Sequence, residues 1–352
     1  MPPPAARRSP RSPRTPRSAL VEAGRNGGLT LVLGAGVSLA QRVPSWPDLV
    51  RSLWEQTFVR RPLPAHEALP NLLPLALELV ARERGEADFV RALHARLYRD
   101  VEVPSRELLL QGGGGTLGAL ARALVGEHAL GARRRVVRVV SFNVDDLLAQ
   151  ACRALAPPAS PPVLKPLVRA SHHPERGLGE QPLPLYHLHG YLPQRTRRAG
   201  DAQGARWHEE APDALVFTDA QYWASVAEPM SFANRVMSFV LHDSRCVFVG
   251  LSMTDLNLLR WLALRAQEVE ADKAAQFARA AASPARVRRA QRQALCRHFW
   301  VRAPPAPGDA ATAFLARYLE VRGVRSVELP GGWPELPALL EALLPTLPPT
   351  AL

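Results

Sequence analysis

Three short, strongly hydrophobic runs constrain the fold of this 352-residue chain more than any other feature. They are Leu29–Leu33 (LTLVL), Val136–Phe142 (VVRVVSF) and Arg245–Leu251 (RCVFVGL). Each run is typical of a buried strand, and helical patterns lie between them. Strands that alternate with helices indicate a parallel sheet with helices on both faces. We therefore predict an α/β fold, with a doubly wound, mostly parallel, Rossmann-like sheet and a helical insertion that forms a second lobe.

The chain divides into an N-terminal arm and one folded domain. Residues 1–27 interleave arginines with prolines, a composition that predicts a disordered basic arm. The domain is expected to cover residues 28–347. Within it we predict a proline-broken helical insertion at about 46–133 and a loop-rich insertion at about 153–184. A single helix is predicted later in the chain, at Ala220–His242.

The formal net charge of +12 comes almost entirely from arginine, because Lys165 and Lys273 are the two lysines of the chain. A G+C-rich coding bias produces such a skew without any nucleic-acid target. We favour a solvated basic arm, and contact of the arm with nucleic acid stays open as the weaker alternative. Neither lysine follows a glycine, which excludes the Gly-Lys pair of a conventional P-loop ATPase.

The cysteines and the hydropathy pattern suit a protein of the reducing cytoplasm. Cys152, Cys246 and Cys296 are scattered and form no Cys-x-x-Cys pair, which argues against a structural zinc site and a disulfide framework. No charge-free stretch of about 18 apolar residues occurs, so we expect no membrane span. The N-terminus lacks the apolar core of a signal peptide.

Four motifs fall at the predicted ends of strands, where ligands bind in sheets of this kind. In chain order they are GAGVS at 34–38, FNVDD at 142–146, HLHG at 187–190 and VGLSMTD at 249–255. Each motif is weak by itself. Their shared position and order predict one common site.

Each motif also has a purely structural interpretation. Gly34 and Gly36 permit close approach of a phosphate, but they equally permit a tight turn between a strand and a helix. Asn143 and Asp145 would suit helix capping, and His189 would suit a structural place before a turn. These alternatives stay open on the motifs alone.

Other site classes fit these motifs less well. A dinucleotide fingerprint would require a third glycine at position 39, where the chain has Leu39. The segment Gly36–Ala40 lacks the second glycine of a nucleophile elbow. His187 and His189 have no evident Cys or carboxylate companions, so we expect no metal site.

Taken together, the motifs resemble the sirtuin-like NAD-binding family, specifically its bacterial branch of NAD-consuming anti-phage defence proteins. GAGVS with the later VPSW resembles the opening motif of that branch, and Leu188-His189-Gly190 matches its Leu-His-Gly. The segment SFNVDDLL at 141–148 looks like its Thr-x-Asn-Tyr-Asp-x-Leu-Leu, with Ser141 and Val144 as departures. FTDAQY at 217–222 and FVGLSMTD at 248–255 resemble its last two elements.

The resemblance implies that NAD is a substrate and gives each motif a role. Two groups of residues would bind it: the pyrophosphate would lie on Gly34, Ala35, Gly36 and Ser38, and the adenosine side on Gly250 and Ser252. The remaining three residues would be catalytic. Asn143 would orient the nicotinamide ribose and the attacking water, Asp145 would contact the carboxamide, and His189 would be the general base.

Within this family we predict an NAD hydrolase that releases nicotinamide and ADP-ribose. Deacylating sirtuins usually carry a four-cysteine zinc module, which three scattered cysteines cannot build, so neither deacylation nor a metal cofactor is expected. Cyclisation to a cyclic ADP-ribose stays open. The alternative from another class is a non-catalytic nucleotide-binding subunit that serves as an assembly platform. Because no sensor domain is visible, we expect control through a homo-oligomer or a separately encoded activating protein.

Overall fold

The computed structural model describes residues 15–65, 72–157, 160–168, 182–194, 215–278 and 283–344. Its strands, in chain order, are β1 Leu29–Leu33, β2 Val136–Ser141, β3 Leu164–Leu167, β4 Leu183–His187, β5 Arg245–Val249, β6 His298–Arg302 and β7 Val324–Glu328. They form one sheet in the order β3-β4-β2-β1-β5-β6-β7, and all six neighbouring pairs are parallel. The predicted α/β, Rossmann-like fold is confirmed.

Helices cover both faces of this sheet. Their bounds are Pro16–Arg25, Trp46–Thr57, Leu72–Arg84, Glu86–Leu97, Arg106–Leu110, Gly115–Ala129, Leu147–Leu155, Asp219–Ala227, Phe232–Asp243, Leu256–Ala278, Pro284–Leu295, Ala310–Val321 and Leu336–Leu343. None of the helices in the described ranges is long and apolar enough to cross a membrane.

The alternation of side chains along the strands builds two cores. On β1, Leu29, Leu31 and Leu33 join one core, whereas Val32 between them joins the other. The first core includes residues of Gly115–Ala129 and Leu147–Leu155, and the second includes residues of Phe232–Asp243. Strands buried on both faces explain why these runs are almost continuously hydrophobic.

The strand order places a topological switch point at β1. β2 pairs with one side of β1 and β5 with the other, so the chain builds the sheet first on one side of β1 and then, from β5 onward, on the other. In sheets of this kind, ligands bind at the carboxyl edge of the strands beside such a switch point. The four motifs follow β1, β2, β4 and β5, and they meet at this edge.

The helices of the insertion between β1 and β2 pack in two groups. Trp46–Thr57, Leu72–Arg84 and Glu86–Leu97 pack against one another beyond the sheet edge. Gly115–Ala129, in contrast, lies beside Leu147–Leu155 and Leu336–Leu343 in the layer that covers the sheet. Buried residues of all these helices belong to the first core, so the insertion extends that core.

The predicted single helix Ala220–His242 is wrong, because the chain forms two helices there, Asp219–Ala227 and Phe232–Asp243. Pro229 lies in the break, where it lacks an amide hydrogen and disfavours helical backbone in the preceding residue. The Ser231 hydroxyl then accepts the Asn234 amide at 3.3 Å and caps the second helix.

The prediction of a disordered arm at residues 1–27 is wrong for Pro16–Arg25, which forms a helix. Thr15 caps it, and its hydroxyl accepts the Ser18 amide at 3.2 Å. Leu20 is fully buried in the first core, and the neighbouring helix Leu336–Leu343 covers the same side. The prolines and arginines dominate the composition of this segment, so the apolar face by which its helix packs against the first core was not recognised in the sequence. Residues 1–14 lie outside the described residues.

Candidate functional site

A cavity of about 630 Å³ opens at the carboxyl edge of the sheet, between the strand-end loops and the insertion helices. Its volume is in the usual range for a small-molecule site. Eight of the nine predicted site residues line it: Gly34, Ala35, Gly36, Asn143, Asp145, His189, Gly250 and Ser252. Ser38 is buried and does not belong to the lining; its hydroxyl contacts Asp145 instead.

The glycines allow the loops after β1 and β5 to cross in direct contact. A Cβ on Gly36 would lie 2.8 Å from the Gly250 Cα, and one on Gly250 would lie 2.7 Å from the Val37 nitrogen. Gly250 also has a φ of +69°, which side-chain-bearing residues rarely adopt. A Cβ on Gly34 would meet the Leu251 side chain at 2.6 Å. The bare backbone is therefore required by the crossing of the two loops.

The backbone amides of the turn after β1 are largely engaged within the protein. Gly34 donates to the Val249 carbonyl at 3.1 Å, and Gly36 donates to the Gly250 carbonyl at 2.9 Å. The amides of Val37 and Ser38 donate to carbonyls inside the turn, both at 3.0 Å. A ligand at this turn therefore meets a closely packed, already hydrogen-bonded backbone rather than an open ring of amide donors.

Asn143 joins the loop after β2 to the turn after β1. Its Nδ2 donates to the Gly34 carbonyl at 3.0 Å. Its backbone is held by Ser141, whose hydroxyl accepts the Asn143 amide at 3.0 Å, and by His187, whose Nδ1 lies 2.8 Å from the Asn143 carbonyl. These bonds fix the Asn143 side chain at the cavity wall.

Asp145 is a buried carboxyl group that accepts the first backbone amide of the next helix and also lines the cavity. Its Oδ1 accepts the Leu147 amide at 3.1 Å, at the start of Leu147–Leu155. The Ser38 hydroxyl donates to Oδ2 at 3.1 Å. Burial raises the pKa of Asp145 to about 6, although both hydrogen bonds act in the opposite direction. The carboxyl group therefore changes its protonation state close to neutral pH.

His189 follows β4 and lies on the same wall. Its ring packs edge-on against Phe142, with 5.3 Å between the ring centroids. Burial lowers the pKa of His189, while the Asp255 carboxylate and a hydrogen bond to the Phe142 backbone act to raise it. A neutral imidazole at the cavity wall is able to accept a proton.

Charged groups of one sign surround the cavity. Asp145, Asp219 and Asp255 line it, and within the described ranges no Lys or Arg does. Each of these carboxylates lies at the start of a helix, and the Asp255 Oδ1 accepts the Leu258 amide at 2.8 Å. The positive ends of three helix dipoles thus face the site and offset the carboxylate charge.

The apolar side of the cavity was not predicted from the sequence. The Trp46 ring packs against Phe217 with 5.4 Å between centroids, and both rings line the cavity. Leu72 and Leu97 reach it from two insertion helices. Helical periodicity marks such residues as buried, but it does not tell which of them face a ligand rather than the core.

His187 is not part of the cavity lining. It is buried, its Nδ1 contacts the Asn143 carbonyl, and its ring packs on Tyr191 with 4.7 Å between centroids. Burial lowers the pKa of His187 to about 4. Within the described ranges, no group of three or more His, Cys, Asp or Glu side chains is placed to hold a metal ion.

Residues 137–301 match the family model of the SIR2-like domain. This range begins in β2 and ends in β6, so it contains Asn143, His189 and Gly250 but not the glycine turn after β1. The match supports a sirtuin-like family for the chain. It does not identify the NAD-consuming defence branch, which stays a prediction. No curated protein matches the chain.

Proposed function

We propose that the protein is an NAD glycohydrolase, which cleaves the bond between nicotinamide and ribose to give nicotinamide and ADP-ribose. The observation that carries the proposal is that Asn143, Asp145 and His189 line one cavity at the switch point of the sheet. The SIR2-like match adds support, since such domains are generally NAD-dependent enzymes.

The proposed reaction requires no metal and no acid. The bond between the ribose C1′ and the pyridinium nitrogen breaks, and its electron pair neutralises the ring as nicotinamide leaves. A water oxygen bonds to C1′ and gives one proton to His189, which later releases it to solvent. The sum is NAD⁺ plus water to nicotinamide, ADP-ribose and one proton. A neutral His189 suits a general base, and the apolar rings of Trp46 and Phe217 in the lining would limit the approach of other water.

Asn143 and Asp145 would position the reacting groups. The Nδ2 of Asn143 is engaged with Gly34, so its Oδ1 is the atom that would accept a hydrogen bond from the ribose or the attacking water. Asp145, with a pKa of about 6, would contact the carboxamide of nicotinamide. The dense turn at Gly34–Gly36 and the loop at Gly250 would let the pyrophosphate lie close to the backbone.

A direct assay tests this proposal. Purified protein is incubated with NAD at several protein concentrations, with and without proteins encoded by neighbouring genes, and the products are separated by chromatography. The dilution series would reveal activity that depends on a homo-oligomer or a separate activator. ADP-ribose indicates hydrolysis, and a cyclic ADP-ribose indicates the cyclase variant. Replacing a positioned general base typically costs roughly 10²–10⁴-fold in rate, so His189→Ala should lose most nicotinamide release.

His242→Ala is the matched control. His242 lies on the surface, where it pairs with Glu268 at 2.8 Å, and it is remote from the cavity lining. It should release nicotinamide at the wild-type rate. Two results would contradict the proposal: no NAD consumption under any of these conditions, or wild-type turnover by a folded His189→Ala protein.

A non-catalytic nucleotide-binding subunit, acting as an assembly platform, is the second candidate. The observation that favours it is that Asn143 and Asp145 both have structural roles: Asn143 joins two loops, and Asp145 accepts the first amide of a helix. Under this alternative the wild-type protein binds NAD and leaves it intact. Binding without turnover at every protein concentration would therefore select it over the hydrolase.

A further inference from the structure

We propose that His187, which does not line the cavity, is a positioning residue of the reaction: a hydrogen bond from its Nδ1 holds the Asn143 peptide, and the turnover of NAD depends on that bond. The inference rests on the proposed function, because Asn143 is one of the residues that would orient the ribose and the attacking water. It gives a catalytic consequence to the first histidine of the HLHG motif, which the proposed reaction does not use.

The ends of two neighbouring strands hold one peptide. Ser141 and His187 are partners in the parallel pairing of β2 with β4, and each is the last residue of its strand. The Asn143 carbonyl lies 2.8 Å from Nδ1 of His187 and also accepts the Ser141 hydroxyl at 3.1 Å. The bond from His187 therefore ties the peptide at the end of β2 to the end of β4.

The contact fixes the tautomer of His187. A carbonyl oxygen can only accept, so Nδ1 carries the hydrogen and Nε2 carries the lone pair. Nε2 is buried and has no hydrogen-bond partner among the described residues, so a proton there would bring an unpaired N–H and a charge into the interior. In agreement, burial lowers the pKa of His187 to about 4, against the effect of the bond to Asn143. The ring therefore stays a neutral Nδ1 donor near neutral pH.

The Asn143 side chain connects this bond to the cavity. Its Nδ2 donates to the Gly34 carbonyl at 3.0 Å, which leaves Oδ1 for the ribose or the attacking water. Peptide and side chain share one Cα atom, so a rotation of the peptide displaces Oδ1. Without His187, the Ser141 hydroxyl alone would hold the carbonyl. A displacement of about 1 Å in a positioning group costs on the order of 10²-fold in rate.

Two substitutions separate the hydrogen bond from the volume of the side chain. The amide nitrogen of an asparagine at position 187 is bonded to Cγ, as Nδ1 is in histidine, so His187→Asn keeps a donor in the same place. His187→Leu fills similar space without a donor. His187→Leu should lower kcat by roughly 10- to 100-fold and change KM by less than about threefold, because His187 lies outside the lining. His187→Asn should restore kcat to within about threefold of the wild type.

A double-mutant cycle tests whether His187 acts through Asn143. In the Asn143→Ala background the side chain that His187 positions is absent, so adding His187→Leu should change kcat by less than about twofold. Long incubations with concentrated protein measure these low rates. A general loosening of the site would instead lower kcat by the same factor in both backgrounds.

His298→Leu is the matched control. His298 is also buried, and its Nδ1 accepts the Cys246 amide at 3.1 Å between two strands, outside the cavity lining. The variant loses a buried imidazole and one bond to the backbone, as His187→Leu does. Its melting temperature should fall, whereas kcat of the folded protein should equal that of the wild type.

NMR on the wild-type protein gives a measurement that needs neither NAD cleavage nor a stable leucine variant. The protein is labelled with ¹⁵N-histidine, and couplings between the ring nitrogens and the carbon-bound hydrogens distinguish the tautomers. The His187 signals are identified by their absence in His187→Asn. They should show the neutral Nδ1–H tautomer from about pH 6 to about pH 8.

The outcomes separate this proposal from the proposed function. An Nε2–H tautomer or a protonated His187 ring near neutral pH overturns the inference, even if the wild type cleaves NAD. Wild-type kcat in folded His187→Leu, equally low kcat in both His187 variants, or an equal loss in the Asn143→Ala background also overturns it. Failure of the wild type to release nicotinamide overturns the proposed function and, with it, any effect of His187 on turnover. Loss in His187→Leu, recovery in His187→Asn and no further loss in the double variant support both.

Discussion

The carboxylates of the cavity wall show how one side chain can serve the fold and the site together. Asp145 and Asp255 each accept a backbone amide at the start of a helix, and each lines the cavity. The structural interpretation of these residues and the functional one are therefore compatible. The two interpretations differ in the response to pH that they predict. A carboxylate that only caps a helix at the surface does not change its protonation state near neutral pH.

Asp145 should make the stability of the protein depend on pH. Its pKa is about 6 in the folded protein, above the ordinary value of 3.8 for an aspartate, so the folded state holds the proton more tightly. The stability that protonation contributes is fully present below the unfolded pKa and is lost as the pH rises through about 6. The difference should be on the order of 2–3 kcal/mol in the free energy of unfolding.

Asp145→Asn should remove this dependence. Urea unfolding from about pH 4 to about pH 7 measures it, and the free energy of the wild type relative to the variant should fall as the pH rises. Asp100→Asn, at an exposed position, controls for the change in net charge. An equal pH dependence in the wild type and in Asp145→Asn would contradict the assignment.

At the scale of elements, the carboxyl ends of four parallel strands decide where the motifs meet. The loops after β1 and β5 cross at Gly36 and Gly250 with no room for a side chain. Ser38 and Asn143 then tie the loop after β2 to the turn after β1. The cavity wall is thus a set of mutually bonded loops rather than four independent ones.

Gly250→Ala should be much more destabilising than Gly28→Ala. Both glycines have similar positive φ values, +69° and +71°, so both variants pay about 1–2 kcal/mol for left-handed backbone. At Gly28 the new Cβ meets no heavy atom within 4 Å, whereas at Gly250 it meets the Val37 nitrogen at 2.7 Å. Overpacking should bring the Gly250→Ala loss to roughly 2–5 kcal/mol in total. Chemical denaturation measures both, and equal losses would show that the crossing is not tight.

At the scale of the whole molecule, the two ends of the described chain pack together. The helix Pro16–Arg25 lies beside Leu336–Leu343, and a Cβ on Gly24 would come within 2.4 Å of the Leu343 side chain. Leu20 and Leu343 are both fully buried in the core that also contains insertion helices and β1. One core thus links the first described helix, the insertion and the last helix.

Leu20→Ala should therefore destabilise the whole protein. Truncating a fully buried leucine typically costs about 2–5 kcal/mol through lost burial and the cavity left behind. Arg25→Ala, at an exposed position of the same helix, should change the free energy of unfolding by less than about 0.5 kcal/mol. Thermal and denaturant unfolding of the three proteins measure the effect, and a wild-type melting temperature for Leu20→Ala would restore the disordered-arm interpretation.

Much of the fold can be predicted from the local sequence, and the errors of that prediction also have local causes. The runs at β1, β2 and β5 are recognisable because strands buried on both faces are hydrophobic almost throughout. Pro229 and Ser231 are visible in the sequence as a helix breaker and a helix cap. The prediction of one helix gave more weight to the helical periodicity on either side of them. The helix Pro16–Arg25 was missed because its apolar face is short and its arginines dominate the composition.

The sequence by itself determined the strands β1, β2 and β5, the polar residues at their ends and the residue types available for chemistry. Only the tertiary structure decided that Trp46 and Leu97 complete the cavity and that Ser38 contacts Asp145 instead of lining the cavity. Local propensity acts between neighbours in the chain, and these relations join residues far apart in it. These relations depend on the strand order and on the packing of the crossing loops. The same packing sets how deeply each side chain is buried and which charges lie near it.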